Sequence, residues 1–208
     1  MAIQHQSAQF TILTAHVMES WGNIPSTIAS DCMNRSGSMI AAIKPLSAGT
    51  KLCGQARTIS VMVGDNSCIH AALSTVRQGE VLTIDGGGAV DIALWGGIMT
   101  RVAMARGVQG IVLDGMVRDS AEIRATGFPC FARDAIPRGP HKGFGGTLDA
   151  VTSVGGVAVT PGDIILGDDD GVVVVPLSAA AEILRAAKDL IAREQNRLTA
   201  VLGASSRS

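Results

Sequence analysis

"GEVLTIDGGGAVDIALWGGIMTRVAMARGVQGIVLDG", Gly79 to Gly115, decides the fold. Its Val81–Ile84 core is apolar, rich in β-branched residues and bounded by glycine, which predicts a strand. Gly86, Gly87 and Gly88 then form a loop. The stretch from Val90 to Gly107 has helical character. Gly96 and Gly97 weaken its interior, which places the true helix start near them. "VQGIVLDG" (108–115) is the next strand. Strand, glycine loop, helix and strand make a βαβ unit, which implies a right-handed crossover and a parallel sheet.

Upstream, "STIASDCMNR" (26–35) reads as a helix with Ser26 or Thr27 as cap. "KLCGQARTISVMVG" (51–64) reads as a strand, and Asp65 or Asn66 can cap a helix carrying His70. Downstream, "FPCFARD", "TLDAVTSVGGVAV", "DIILGDDDG" and "GVVVVP" are short strand candidates separated by Gly, Pro and Asp turns. The chain closes on an amphipathic helix over 177–202, with Ser178 as cap. Its apolar stripe suits packing on its own subunit or on a neighbour. The pattern predicts one α/β domain over 1–208, with an antiparallel or mixed second sheet.

Composition narrows the function classes. Lys plus Arg is 17 against 18 Asp plus Glu, so no basic surface for nucleic acid or acidic lipid is indicated. Tyrosine is absent and aromatics are 3%, leaving few platforms on which bases could stack. Cys32, Cys53, Cys68 and Cys130 match no zinc spacing and no C-x-x-C pair, which suits reduced thiols in a cytoplasmic protein. No signal peptide and no membrane span are expected.

The chemistry-bearing residues cluster after the second strand of the βαβ unit. "GMVRDSAEI" (115–123) puts Arg118 and Asp119 beyond the C-terminal end of a parallel strand, where open α/β sheets place ligands. Arg118 offers a planar fork of donors for a carboxylate or enolate. Asp119 is a hard oxygen ligand for magnesium or manganese, with Glu122 close by if a helix begins there. The competing reading is structural: Asp119 or Ser120 caps that helix, Glu122 sits in its first turn, and Arg118 pairs with a nearby acid. Amides at Gly97, Ile98 and Met99 can receive an anion at a helix start. Asn66 and His70, four residues apart, share a helix face. Arg124 and Arg133 suit further anion contacts or surface salt bridges equally. "GDDDG" (167–171) lacks EF-hand spacing, and "GGGAVD" lacks dinucleotide spacing. Of the lysines, Lys142 in "GPHKG" is the least unsuited to Schiff-base chemistry.

"TIASDCMNR", "GDNSCIHAAL", "GEVLTIDGGG", "ALWGGIMTRVAMARGVQGIVLDGMVRD", "GFPCFARD" and "PGDIILGDDDGVVVVP" follow one another over nearly the whole chain. Together they resemble the ribonuclease-activity-regulator-A-like family. That family includes the metal-dependent 4-hydroxy-4-methyl-2-oxoglutarate and 4-carboxy-4-hydroxy-2-oxoadipate aldolases. The resemblance implies a swivelling phosphohistidine-type β/β/α fold, with layered sheets, flanking helices and assembly as homotrimers or hexamers with intersubunit sites. It implies that Asp119 anchors Mg2+ or Mn2+ and that Arg118 stabilises a pyruvate enolate. The segment Gly97–Met99 would receive the keto-acid carboxylate, and Asn66 and His70 would reach its distal end. Asp31, Glu122 and Glu194 would join a metal and water network, Glu194 from a neighbouring subunit.

One position departs from that pattern. The aldolases carry a carboxylate separated from the arginine by twenty residues, where this sequence has Gly97. The expected activity is a metal-dependent lyase releasing pyruvate from a small 2-oxo acid, by retro-aldol cleavage or by oxaloacetate decarboxylation. The alternatives are a non-catalytic regulator of an RNA-processing enzyme and an enzyme using the same enolate clamp on another acid.

Overall fold

The computed structural model describes residues 3–205, with side chains through residue 202. Residues 1–2 and 206–208 of the expected domain lie outside the described residues. In chain order the strands are β1 (Gln4–His5), β2 (Lys44–Pro45), β3 (Leu52–Val61), β4 (Glu80–Asp85), β5 (Ala93–Trp95), β6 (Gly110–Asp114), β7 (Met116–Val117), β8 (Cys130–Ala132), β9 (Asp134–Ala135), β10 (Gly146–Leu148), β11 (Thr152–Val154), β12 (Val157–Val159), β13 (Ile164–Asp168) and β14 (Gly171–Val175). The helices are α1 (Ala15–Gly22), α2 (Ser26–Cys32), α3 (Ser67–Thr75), α4 (Gly97–Ala105), α5 (Ser120–Thr126) and α6 (Ala180–Ser205).

Nine strands form one mixed sheet in the order β1-β10-β3-β4-β6-β8-β2, with β13 also on β3 and β14 on β13. Strands β3, β4, β6 and β8 run parallel, as the βαβ reading requires. Their near-continuous apolar runs follow from burial on both faces. Ile59, Leu82, Ile84, Ile111 and Leu113 pack with Ile69 of α3, Met99 and Ala103 of α4 and Ile123 of α5. On the opposite face, Ala56, Val81, Val112 and Phe131 meet Val154 and Val159 of the β11–β12 hairpin and Ile165 and Val174 of β13–β14. A third cluster seats α1, α2 and the first half of α6 on the outer side of β13 and β14, through Trp21, Ile28, Ile164, Val175 and Ile183.

The expected antiparallel sheet is present but small: β11 and β12 form a separate two-stranded antiparallel sheet, while the antiparallel strands β10, β13 and β14 join the main sheet. A further three-stranded sheet, in the order β5-β7-β9, is parallel and was not expected. Each of β4, β6 and β8 passes through a short break into β5, β7 or β9 in the same order, so the small sheet forms a second tier above the strand C-termini. Ala93–Trp95, expected to be helical, is strand because Met116–Val117 pairs with it. Helix α4 starts at Gly97, where the glycines placed it.

The cap at α3 follows the local reading, and those at α2 and α6 depart from it. Neither Ser26 nor Thr27 caps α2. Asp168, from the far end of β13, accepts from the Ser26 amide at 2.8 Å and from its hydroxyl at 2.7 Å. At α3, Asn66 holds the cap position without a side-chain cap bond, and Asp65 accepts from the Ser67 amide at 2.8 Å. Ser178 lies inside a 3-10 turn, Leu177–Ala179, that precedes α6. Asp163 holds this turn by accepting from the Leu177 amide at 2.9 Å.

Candidate active site

The second tier delivers Arg118 and Asp119 at the end of β7. Arg118 donates its backbone N–H to the Trp95 carbonyl at 2.9 Å, which locks the segment to β5. Asp119 follows in the left-handed region, φ 58°, an uncommon conformation that aspartate tolerates better than most residues. The turn points its carboxylate at the start of α4, where Oδ2 accepts from the Gly97 amide at 3.1 Å. Arg118 Nε lies 3.7 Å from the same oxygen. Trp95 fixes the helix start from beneath: its indole donates to Thr100 Oγ1 at 2.7 Å and its ring stacks on Phe128.

Trp95, Arg118 and Asp119 line one cavity of about 270 Å3 with Asn66, His70, Gly96, Ile98, Met99, Pro140 and Lys142, whereas Gly97 does not line it. Because the Gly97 amide is bound by Asp119, the Ile98 and Met99 amides remain, and a helix offers no internal acceptor to its first turn of amides. His70 and Lys142 stand elsewhere in the wall. Partial burial, and then the Lys142 ammonium, lower the His70 pKa below the ordinary histidine range, so it is a neutral imidazole near pH 7.

Lys142 is the charged wall residue that sequence reasoning did not place there. Asn66 N donates to the His141 carbonyl at 3.2 Å, and His141 N to the Gly64 carbonyl at 2.8 Å. Asp65 Oδ2 takes the Phe144 amide at 3.1 Å. The 141–144 loop is thereby laid along the start of α3. Burial alone would raise the Asp65 pKa, but its bonds from the Ser67 hydroxyl and amide and from the Phe144 and Gly143 amides outweigh that and hold it low. The one local hint was "GPHKG" itself, a lysine among turn residues.

Glu122 sits beside the cluster. It is bound by Arg101 at 2.9 Å, and its carboxyl carbon lies 2.5 Å from where a Cβ on Gly97 would be. Asp31 is elsewhere, in a polar cleft with Ser26, Ser30 and Asp170. Glu194 lies on the exposed part of α6. Within this chain neither reaches the cavity. Arg124 donates to Ser120 Oγ at 3.2 Å, and Arg133 Nε to Asp114 at 2.6 Å, so both are engaged internally. Burial pushes the Cys53 and Cys68 thiols up to about 12, which removes both as thiolate nucleophiles. A larger cavity of about 500 Å3, near Phe10, Ile12, Met18 and Cys53, contains none of the clustered motif residues.

Among the described residues, no three His, Cys, Asp or Glu side chains converge as a metal cage. Asp119 is the carboxylate in the cavity wall. One carboxylate, with waters and the oxygens of a bound acid, is the donor set magnesium and manganese accept, and a closed zinc site is not. No helix among the described residues is long and apolar enough to cross a membrane.

Fold and site define an α/β protein with an arginine–aspartate cleft at the C-terminal ends of parallel strands. The chain belongs to the RraA-like family (Aldolase/RraA), whose model matches residues 14–174. It is 34% identical over 178 residues to a Halalkalibacterium halodurans protein named provisionally as a 4-hydroxy-4-methyl-2-oxoglutarate aldolase, covering 86% of this chain and 85% of that one. It is 33% identical over 151 residues to the 4-hydroxy-4-methyl-2-oxoglutarate aldolase of Thermus thermophilus, covering 73% and 92%. The crystal structure of Streptomyces coelicolor RraAS2, described as an unusual member of the RNase ES inhibitor RraA protein family, superposes with a TM-score of 0.79 at 29% identity, covering 89% of this chain and 98% of that one.

Proposed function

We propose that the protein is a divalent-metal-dependent lyase that cleaves a small 2-oxo acid and releases pyruvate. The observation that carries this reading is the convergence of Arg118, Asp119 and the α4 amides on one cavity, with His70 and Lys142 also in its wall. Asp119 would hold the magnesium or manganese ion, which supplies Lewis-acid polarisation of the substrate carbonyl. The Ile98 and Met99 amides bind the carboxylate next to that carbonyl. Arg118 stabilises negative charge as the keto oxygen becomes an enolate. In a retro-aldol substrate the hydroxyl proton at C4 leaves to a base, the C3–C4 pair moves toward C2, and pyruvate enolate takes a proton at C3. Loss of carbon dioxide from oxaloacetate gives the same enolate. Lys142 and His70 receive a distal carboxylate, which favours diacids. The tiered sheets support the swivelling β/β/α label for the fold.

The test is pyruvate release from 4-hydroxy-4-methyl-2-oxoglutarate, 4-carboxy-4-hydroxy-2-oxoadipate and oxaloacetate with added magnesium or manganese. Turnover is expected, and both EDTA and Asp119→Ala are expected to abolish it. Folded, metal-supplied protein that turns over none of the three rejects the reading. It would leave a regulator, in line with the description of RraAS2, or a clamp for another acid.

The active unit is further proposed to be a homotrimer or hexamer. Residues 192–202 of α6 are all exposed, Leu198 and Leu202 share one face, and Ile98 at the cavity mouth is 76% exposed. Fourteen residues of helix, 192–205, extend about 20 Å at 1.5 Å per residue, enough to reach a neighbour. Sedimentation velocity should give a trimer or hexamer, with Leu198→Glu weakening it. A monomer at micromolar concentration excludes this assembly.

A further inference from the structure

Lys142 stands in the cavity wall, and Asp65, which holds the segment after it, does not. That segment is packed tightly at both ends. A Cβ on Gly139 would lie 2.5 Å from Arg118 Nη1, and one on Gly146 would strike the Ser60 carbonyl. Residues 141–144 between them are exposed. Asp65 is fully buried and grips this exposed stretch. Its two carboxylate oxygens serve different elements. Oδ1 accepts from the Ser67 amide at 2.8 Å and from the Ser67 hydroxyl, at the start of α3. Oδ2 accepts from the Phe144 amide at 3.1 Å, and the Gly143 amide also donates to the carboxylate. Ser67 Oγ closes the clasp by accepting from the Gly145 amide at 3.2 Å. The backbone bonds of His141 to Gly64 and Asn66 anchor the residue before Lys142, and the clasp anchors the three residues after it. Bonds to an ionised acceptor are about twice as strong as neutral ones, so the clasp is the stiffer of the two anchors.

We infer that Asp65 is a positioning residue: by clasping the amides of 143–145 it sets where the Lys142 ammonium stands, and so how tightly the far carboxylate of a bound acid is held. The inference rests on the assignment of Lys142 to that carboxylate, and it adds a residue that acts without lining the cavity. Asparagine at 65 separates the two tasks of the carboxylate. Its single amide oxygen can take the Ser67 amide, and asparagine caps a helix as well as aspartate does. Its NH2 group would then meet the Phe144 and Gly143 amides donor to donor. Helix α3 keeps its start and the loop loses its grip.

The test has two parts, both on the full chain. The first needs no ligand. In Asp65→Asn, hydrogen exchange at the amides of 143–145 is expected to quicken at least about tenfold, the consequence of losing bonds to a charged acceptor, while β4 and β6 are unchanged. The second is calorimetry, with magnesium present, on 2-oxoglutarate and 2-oxopentanoate, which share a carbon chain and differ by a carboxylate in place of the terminal methyl. The unmodified protein should prefer 2-oxoglutarate by about tenfold or more, the scale of a hydrogen bond between charged groups. Asp65→Asn, Ser67→Ala and Lys142→Ala should each reduce that preference and leave 2-oxopentanoate binding nearly unchanged. Adding Asp65→Asn to Lys142→Ala should reduce it no further, because both act on one contact. Unchanged exchange at 143–145, or a preference that survives in both clasp variants, overturns the inference. So does an Asp65→Asn effect that falls equally on the two acids or adds in full to Lys142→Ala, since Asp65 then serves folding alone. Equal binding of the two acids by the unmodified protein overturns it through Lys142 and leaves the oxo-acid site standing. If neither acid binds, the oxo-acid reading falls, and the role of Asp65 toward substrate with it.

Discussion

Replacing Arg118 by alanine is expected to lower kcat for pyruvate release by about 10²–10³-fold, the range found when one preorganised charge-stabilising donor is removed. KM should move far less, because in the proposed reaction the enolate charge that Arg118 would meet develops after substrate binds. The backbone of Arg118 is held by Trp95 rather than by its own side chain, so the substitution should leave the fold intact. Arg118→Lys should not restore the rate, since an ammonium is a point charge without the planar fork. The guanidinium also runs close to Gly139: a Cβ there would lie 2.5 Å from Arg118 Nη1. Steady-state kinetics of both variants, with thermal melts to confirm folding, decide the matter. A kcat within a few-fold of the unmodified protein would remove Arg118 from the chemistry.

The largest stability effect is expected at Arg57, far from the cavity. Arg57 is buried in β3 and joins the end of α3, the start of β4 and the turn after β10. It reaches Asp149 at 2.8 Å, Thr75 O and Oγ1 at 3.1 Å each, and Glu80 at 3.6 Å. Asp149 itself sits at φ 60°, a conformation that needs such anchoring. Arg57→Ala would strand two poorly solvated carboxylates and should cost about 3–5 kcal/mol. Arg57→Met keeps most of the volume but not the charge, so it should cost nearly as much. Adding Asp149→Asn to Arg57→Met should recover part of the loss. Denaturant unfolding midpoints measure all three, and a loss below about 1 kcal/mol in Arg57→Ala would place this network among the weak surface pairs.

Much of the parallel core was legible because its signals are local. Val81–Ile84 and Ile111–Leu113 are strand-like on their own, and Gly96–Gly97 marks a helix start without reference to the rest of the chain. The position of Arg118 and Asp119 followed from topology, since a residue just past a parallel strand has one end of the sheet to occupy. What failed was set by partners distant in sequence. Ala93–Trp95 becomes strand only because Met116–Val117 lies beside it, and helical periodicity in so short a piece could not reveal that. The cap of α2 comes from Asp168, 142 residues away. Lys142 enters the cavity because Asp65 and its neighbours grip the loop that carries it, and nothing next to Lys142 encodes that grip.

The close approach of Glu122 to Gly97 makes the first turn of α4 a seat for a single acid. A carboxylate can arrive there from α5, as it does in this chain, or from a side chain at position 97, but the two overlap unless the Glu122 side chain swings away. Judged alone, the glycine looks like the loss of an acidic group from the cleft. Judged as a pair, it is the vacancy that admits the acid from the next helix. Replacing Glu122 alone removes that charge, whereas an acid introduced at 97 requires the Glu122 side chain to move away as well.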